Sequence, residues 1–412
     1  MRSLRTIVVT IALLALGFGA APAAEALSVV QHALPKGYEE AIAIYGYSGG
    51  LLISTAPTGT VYNRVTTSPF AVTPGPAGVT ATSIATGPGG VPWVLGSERT
   101  PTTAASKEHI NPALYEANPS ATPATAVLRY EYPTIWNAPF GPTGLALGPD
   151  GALWIADPGT ESVERYVPGG TPEPHTTSPP AHPASIVSGP GDSLWFTDTY
   201  RGAIGQVSTA GAVSERLIEN GSSFGEFGFS GPYGIAAGPE EALWFTEQNT
   251  GRIGRITTSG QLTEYAIPNP GDLPTGAIGA PAPRRIVYGP EGAFWFTDPG
   301  DGSIGRITTA GQVTEYKIPS PPKPKVAGEE VSPDEIAVAG NGELWFTESG
   351  VPDLGSVDLT GTEATTTTTK KAKASGAHTA SCRAQSAGKH RQAKARRRRA
   401  LSPCRAARRR RR

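Results

Sequence analysis

The chain of 412 residues carries 35 Lys+Arg and 35 Asp+Glu, a formal net charge of zero that taken alone excludes a strongly polarised nucleic-acid or membrane binder. The zero is a sum of opposites, because residues 363–412 hold 17 Lys+Arg against Glu363 alone, while residues 27–362 hold 16 against 33 Asp+Glu. One Met and two Cys exclude a disulfide-built scaffold and a Cys-based zinc cluster.

In chain order, Arg2 and Arg5 precede an apolar run from Ile7 to Phe18, and small residues follow at Ala20-Ala21-Pro22-Ala23-Ala24. This is the layout of a secretory signal, so residues 1–26 are expected to be removed, with cleavage between Ala21 and Ala26. The run is short for a bilayer span, and no other stretch is long and apolar enough, so no transmembrane segment is expected in the mature chain.

A repeat governs the next part of the chain. Five clear copies are GPDGALWIADPGTESVERYV at 148–167, GPGDSLWFTDTYRGAIGQVS at 189–208, GPEEALWFTEQNTGRIGRIT at 238–257, GPEGAFWFTDPGDGSIGRIT at 289–308 and GNGELWFTESGVPDLGSVDL at 340–359. Two weaker copies centre on Leu52 and Trp93, upstream of Trp154, Trp195, Trp244, Trp295 and Trp345. The one long spacing, Trp93 to Trp154, carries a Thr/Ala/Pro/Ser-rich insertion over about 99–127.

Each copy predicts four short strands. One precedes the Gly-Pro turn, LWFT is the second, IGRIT the third, and EYAIP or EYKIP the fourth, ending in Pro. Four strands every 40–50 residues match a propeller blade, and the density of Gly and Pro argues against a helical repeat. The expected fold is therefore all-β, a seven-bladed β-propeller over 27–362. The mature N-terminus, VVQHALP at 29–35, resembles LTEYAIP at 262–268, and the last copy lacks that strand. Residues 28–35 are therefore expected to close the last blade, since an open edge invites aggregation.

Residues 363–412 form a different segment: TTTTT at 365–369, then Lys- and Arg-rich stretches ending in five arginines. A disordered basic tail is expected, suited to an anionic polymer of the cell envelope. Outside the cytoplasm, Cys382 and Cys404 would be able to form a disulfide. A monomer, secreted or envelope-associated, is the expected state.

The repeat GPEEALWFTEQNTGRIGRITTSGQLTEYAIP at 238–268 resembles the streptogramin B lyase (virginiamycin B lyase) family, strongly over 141–362 and weakly over 40–140. The resemblance implies a seven-bladed propeller and Mg²⁺-dependent elimination that opens a cyclic depsipeptide at its ester, with a base removing a proton while the metal polarises the carbonyl. The family's metal and base positions fall on Arg284, Ser332, Asp334 and Glu348, of which only Glu348 agrees with its pattern. Arg284 stands where a metal-binding His is expected, and Ser332-Pro333-Asp334 stands for Glu-Pro-His. Two functions follow: a binding module at the cell envelope whose catalytic site is degraded, or a divergent carbon–oxygen lyase or lactone-acting hydrolase using Asp334 as base and Glu348 as metal ligand.

Other candidates come from the residues themselves. The position after the Trp-Phe-Thr run is acidic in all five clear copies: Asp157, Asp198, Glu247, Asp298 and Glu348. These are either a ring of hard-cation ligands at one mouth or acceptors for the adjacent turns. Recurrence favours the turns, since catalysis needs asymmetry. Asymmetric positions in the first strands are Ala184, Tyr233, Arg284 and Asp334, a polar and aromatic set suited to a small-molecule or cell-envelope ligand in the funnel. His32, His109 and His182 are expected to be solvated or structural.

Overall fold

The structure, a computed structural model, describes residues 28–359 apart from several connecting stretches, of which the longest are 65–78, 219–230 and 319–331. The expected signal sequence, the basic tail, Cys382 and Cys404 lie outside the described residues, as does His109. Among the described residues there is no α-helix, and no helix is long and apolar enough to cross a membrane.

The strands form antiparallel sheets arranged as an all-β propeller. The Trp93 blade comprises β5 (Val79–Thr86), β6 (Pro92–Arg99), β7 (Ile110–Asn118) and β8 (Thr125–Glu131). The Trp154 blade is β9 (Gly144–Leu147), β10 (Leu153–Asp157), β11 (Ser162–Tyr166) and β12 (Glu173–Thr176). The Trp195 blade is β13 (Pro183–Gly189), β14 (Ser193–Asp198), β15 (Ala203–Ser208) and β16 (Val213–Leu217). The Trp244 blade is β17 (Pro232–Gly238), β18 (Ala242–Glu247), β19 (Arg252–Thr257) and β20 (Leu262–Ala266). The Trp295 blade is β21 (Ile286–Tyr288), β22 (Ala293–Asp298), β23 (Ser303–Thr308) and β24 (Val313–Lys317). The Trp345 blade is β25 (Ser332–Val338), β26 (Leu344–Ser349) and β27 (Asp353–Asp358), completed by β1 (Ser28–Ala33).

Strand β1 pairs antiparallel with β27 from Ser28↔Asp358 to Ala33↔Asp353, the closure expected from VVQHALP. Two expectations need correction. The count of seven full blades becomes six four-stranded blades, because the sheet at Leu52, β2 (Glu40–Tyr47), β3 (Gly50–Ala56) and β4 (Thr60–Arg64), has three strands and the chain after β4 lies outside the described residues. The insertion expected over 99–127 is also smaller, since β7 and β8 run through it. Ala113, Tyr115 and Ala117 face one core cluster there and Leu114 the other, a pattern that the polar flanks obscure.

The first strand of each sheet touches the first strand of the next, from β2 through β5, β9, β13, β17 and β21 to β25, and β25 returns to β2. These strands therefore line the axis. The second strands are buried along their length because blades cover both faces. Trp154 and Trp295 are fully buried, and Trp244 stacks on Phe294 of the following blade with centroids 4.8 Å apart, so the tryptophans are inter-blade core.

The glycine of IGRIT has a steric cause. Gly205, Gly254, Gly305 and Gly355 lie opposite Phe196, Phe245, Phe296 and Phe346 in register, and a Cβ there would fall 1.9–2.1 Å from the facing ring. In the Trp154 blade the pair is Ile155 and Glu164, and the smaller Ile155 leaves space for a side chain.

Candidate functional site

The residues that begin the axis-lining strands are fixed from outside their own blade. Thr197 Oγ1 donates to the carbonyl of Tyr233 (2.8 Å), Thr246 Oγ1 to that of Arg284 (2.7 Å) and Thr297 Oγ1 to that of Asp334 (2.8 Å). The same hydroxyls accept from the N–H groups of Ser185, Gly234 and Arg285 in their own blades. Each buried Thr of the Trp-Phe-Thr run thus ties two neighbouring first strands together and leaves no polar group unmet. The Trp154 blade has Ala156 at that place, and Thr143 supplies the missing hydroxyl to the carbonyl of Ala184 (2.9 Å). Ala184, Tyr233, Arg284 and Asp334 are therefore equivalent backbone positions.

Three of them meet. Arg284 Nη1 lies 2.9 Å from Asp334 Oδ1, Nη2 lies 3.4 Å from the Tyr233 hydroxyl, and the guanidinium carbon sits 5.2 Å from the Tyr233 ring centroid. Burial opposes the charge of Arg284, yet Asp334 and Tyr233 beside it hold its pKa above the usual arginine value. Arg284 Nε is buried without a partner.

Behind this pair lies a second, one residue further along each strand. Arg285 Nε donates to Glu335 Oε1 at 2.6 Å, and Arg285 also approaches the Tyr233 ring, at 4.9 Å. Burial raises the pKa of Glu335, while Arg285 acts to lower it. Two guanidiniums of the Trp295 blade and two carboxylates of the Trp345 blade balance in charge beside the phenol ring of a third blade, an arrangement that suits a ligand with both polar and apolar faces.

Residues 129–373, more than half of the chain, match the sequence model of the virginiamycin B lyase family. The chain belongs to that family. A curated relative, the virginiamycin B lyase of Nocardia farcinica (strain IFM 10152), is 27% identical over 222 residues, which is 54% of this chain and 68% of the relative. Among solved structures, a streptogramin B lyase is similar at a TM-score of 0.58 and 22% identity, covering 81% of this chain and 97% of its own. A catalytically inactive virginiamycin B lyase from Staphylococcus aureus with Quinupristin is similar at 0.58 and 24% identity, covering 80% and 99%. At these identities the structural likeness establishes the propeller.

The family's expected positions distribute as follows. Arg284 and Asp334 form the ion pair just described. Ser332, at the start of β25, shares a hydrogen bond with the Ser349 hydroxyl at 2.8 Å, which keeps it within its own blade. Glu348 is fully buried at the end of β26, with Pro333 as its register partner, so it sits one strand behind Asp334 at the same end of the blade.

The recurring acids are turn acceptors. Asp157 Oδ1 accepts from the N–H of Gly159 (2.8 Å), Asp198 Oδ1 from Arg201 (2.9 Å), and Asp298 Oδ1 from Gly300 (3.1 Å) and Ala282 (2.8 Å). Glu247 accepts from the Thr250 hydroxyl. All are fully buried, so the open ring of acids at a mouth is not what is built. His32 Nε2 shares a hydrogen bond with the Ser356 hydroxyl (2.8 Å) and packs on Trp345, and His182 lies 3.7 Å from Glu161.

Sequence reasoning passed over Arg285 and Glu335, whose adjacency to Arg284 and Asp334 was the available signal. It also passed over Glu164, Glu215, Glu264 and Glu315. Each of these stands against a recurring acid, and for Glu215, Glu264 and Glu315 the repeated Ser/Thr-Glu of the fourth strand marked the place.

Proposed function

We propose that the chain is an exported, ligand-binding member of the virginiamycin B lyase family, with the family's lyase site replaced by the Tyr233–Arg284–Asp334 cluster. The observation that carries this is the 2.9 Å contact between Arg284 Nη1 and Asp334 Oδ1. Where the resemblance expects a metal-binding His and a base, the chain sets a guanidinium beside a carboxylate, an arrangement suited to recognising a ligand's polar groups.

The same contact argues against the magnesium ion that the family implies. Of the expected positions, Arg284 brings a cation, Ser332 is engaged by Ser349, the charge of Asp334 is matched by Arg284, and Glu348, the one acid that agrees with the family pattern, is fully buried one strand behind, so a single carboxylate remains where a divalent metal needs several oxygen donors. The three-stranded sheet at Leu52 is read as the first of seven blades, since its β2 lies between β25 and β5.

The ligand is a small molecule or cell-envelope component presenting an acceptor to the partly exposed guanidinium of Arg284 and an apolar face to Tyr233. A cyclic depsipeptide such as Quinupristin, found with the S. aureus relative, is the first compound to try. Export rests on residues 1–26, and the basic tail at 363–412 is assigned to an anionic envelope polymer.

The test is incubation of the mature chain with a streptogramin B and Mg²⁺, followed by chromatography. Elimination conserves mass whereas hydrolysis adds water, so retention time is the readout and mass tells the two openings apart. An intact ring, with binding weakened by Arg284→Ala, is expected. Mg²⁺-dependent opening that is lost in Asp334→Ala overturns the proposal in favour of a divergent lyase.

A further inference from the structure

The turn after the second strand is built on one plan in four blades. It opens with a buried acid, Asp157, Asp198, Glu247 or Asp298, that faces a second acid, Glu164, Glu215, Glu264 or Glu315. Two adjacent carboxyls away from water need a donor between them. Three blades supply one three residues after the first acid. Thr160 Oγ1 donates to Glu164 Oε1 (3.3 Å), Arg201 pairs with Glu215, and Thr250 Oγ1 donates to Glu247 Oε2 (2.9 Å).

In the Trp295 blade that place is held by a third acid, Asp301. Carboxylate oxygens of Asp298, Asp301 and Glu315 all lie within 4.8 Å of one another. Asp298 Oδ1 is taken by backbone N–H groups and Glu315 Oε1 by the Ser303 hydroxyl (3.1 Å). Lys317 Nζ reaches Asp301 Oδ2 at 2.6 Å and also donates to the Asp301 carbonyl, but its side chain is 64% exposed.

What sets this blade apart is Asp301. Asp298 Oδ2 is buried without a partner, but so are Asp157 Oδ2, Asp198 Oδ2 and Glu247 Oε1 at the equivalent place. Only here is a second such oxygen added three residues on, Asp301 Oδ1, on a side chain 3% exposed. Burial pushes the Asp298 carboxyl up to about 7 and that of Glu315 up to about 8, so a cation would bind by displacing protons. Once all three are ionised, three carboxylates against one ammonium leave two negative charges, the complement of one divalent cation.

We propose that Asp298, Asp301 and Glu315 bind a calcium ion. All donors are hard oxygens, which disfavours a thiophilic or imidazole-seeking metal. Their irregular placement, on one turn and on the fourth strand β24, suits calcium's flexible coordination better than the strict octahedron of magnesium. The ion would staple the β22–β23 turn to β24, and through Asp298, which accepts from Ala282 N, it would also touch the segment that leads to Arg284.

The test uses the mature chain stripped with a chelator, with calcium binding followed by equilibrium dialysis and thermal unfolding. One equivalent of Ca²⁺ and a rise in Tm are expected, with a smaller rise for Mg²⁺ at equal concentration. Asp301→Thr restores the donor that the Trp154 and Trp244 blades carry. It is expected to fold with an apo Tm no lower than that of the parent and to lose the calcium response. Retention of that response in Asp301→Thr, absence of any Ca²⁺ binding to the parent chain, or an equal response to Mg²⁺ overturns the proposal.

Discussion

Gly254→Ala tests the account of the repeat most directly. The added methyl would lie 2.1 Å from Cζ and 2.3 Å from Cε2 of Phe245, against an ordinary carbon–carbon separation of about 3.5–4.0 Å. Phe245 is fully buried against the preceding blade, in one cluster with Trp195 and Ile204, so its ring has no open space to move into. Overpacking of this kind costs about 1–3 kcal/mol. In a domain of this size that is a lowering of Tm by roughly 2–6 °C, at about 2 °C per kcal/mol. The double variant Gly254→Ala/Phe245→Ile recreates the smaller facing residue of the Trp154 blade, where Ile155 opposes Glu164. It should lose less stability than the sum of the two single changes, because the methyl fills part of the space that Phe245→Ile opens. Thermal unfolding of the two single variants, the double and the parent makes a cycle. A Gly254→Ala protein as stable as the parent, or strictly additive losses, would refute the steric explanation.

Two further perturbations follow from buried polar groups. Thr246→Val deletes the hydroxyl that accepts from Gly234 N and donates to Arg284 O, leaving two buried backbone groups unmet at about 1–3 kcal/mol each. The variant should be destabilised by a few kcal/mol and should also weaken ligand binding at Arg284, checked by unfolding and calorimetry. Burial, and then the neighbouring Glu264, push the Glu247 carboxyl up to about 8 from an ordinary 4.5. The folded protein therefore holds a proton that the unfolded chain gives up, and stability falls as pH rises from 4.5 to about 8, then levels off. Glu247→Gln carries no such proton, so its Tm between pH 6 and 9 should fall less steeply than that of the parent, and equal slopes would show that Glu247 is ionised in the fold.

The parts of this molecule that were legible in sequence are those that repeat. A buried Trp, a cross-strand Phe–Gly pair and a bridging Thr recur because every blade solves the same packing problem, and the closing strand at 29–35 was readable because it copies LTEYAIP. Tyr233, Arg284 and Asp334 were readable for the opposite reason: they break the repeat at one register position, and the Thr hydroxyls place that position alike in neighbouring blades. What the pattern did not carry is contact across blades. Arg284 and Asp334 are 50 residues apart, and Arg285 with Glu335 repeats that separation, so no local spacing reports either pair. Asp301 escaped for a subtler reason. Beside Pro299 and Gly300 it reads as an ordinary polar turn residue, and only its blade-mates Thr160, Arg201 and Thr250 show that a donor belongs there. In a repeat protein the informative comparison is thus between equivalent positions of one chain. A departure that adds one more unpartnered buried oxygen, as at Asp301, implies something further about chemistry, whereas a departure that sets opposite charges beside each other, as at Arg284 and Asp334, marks where the axis-lining surface differs from blade to blade.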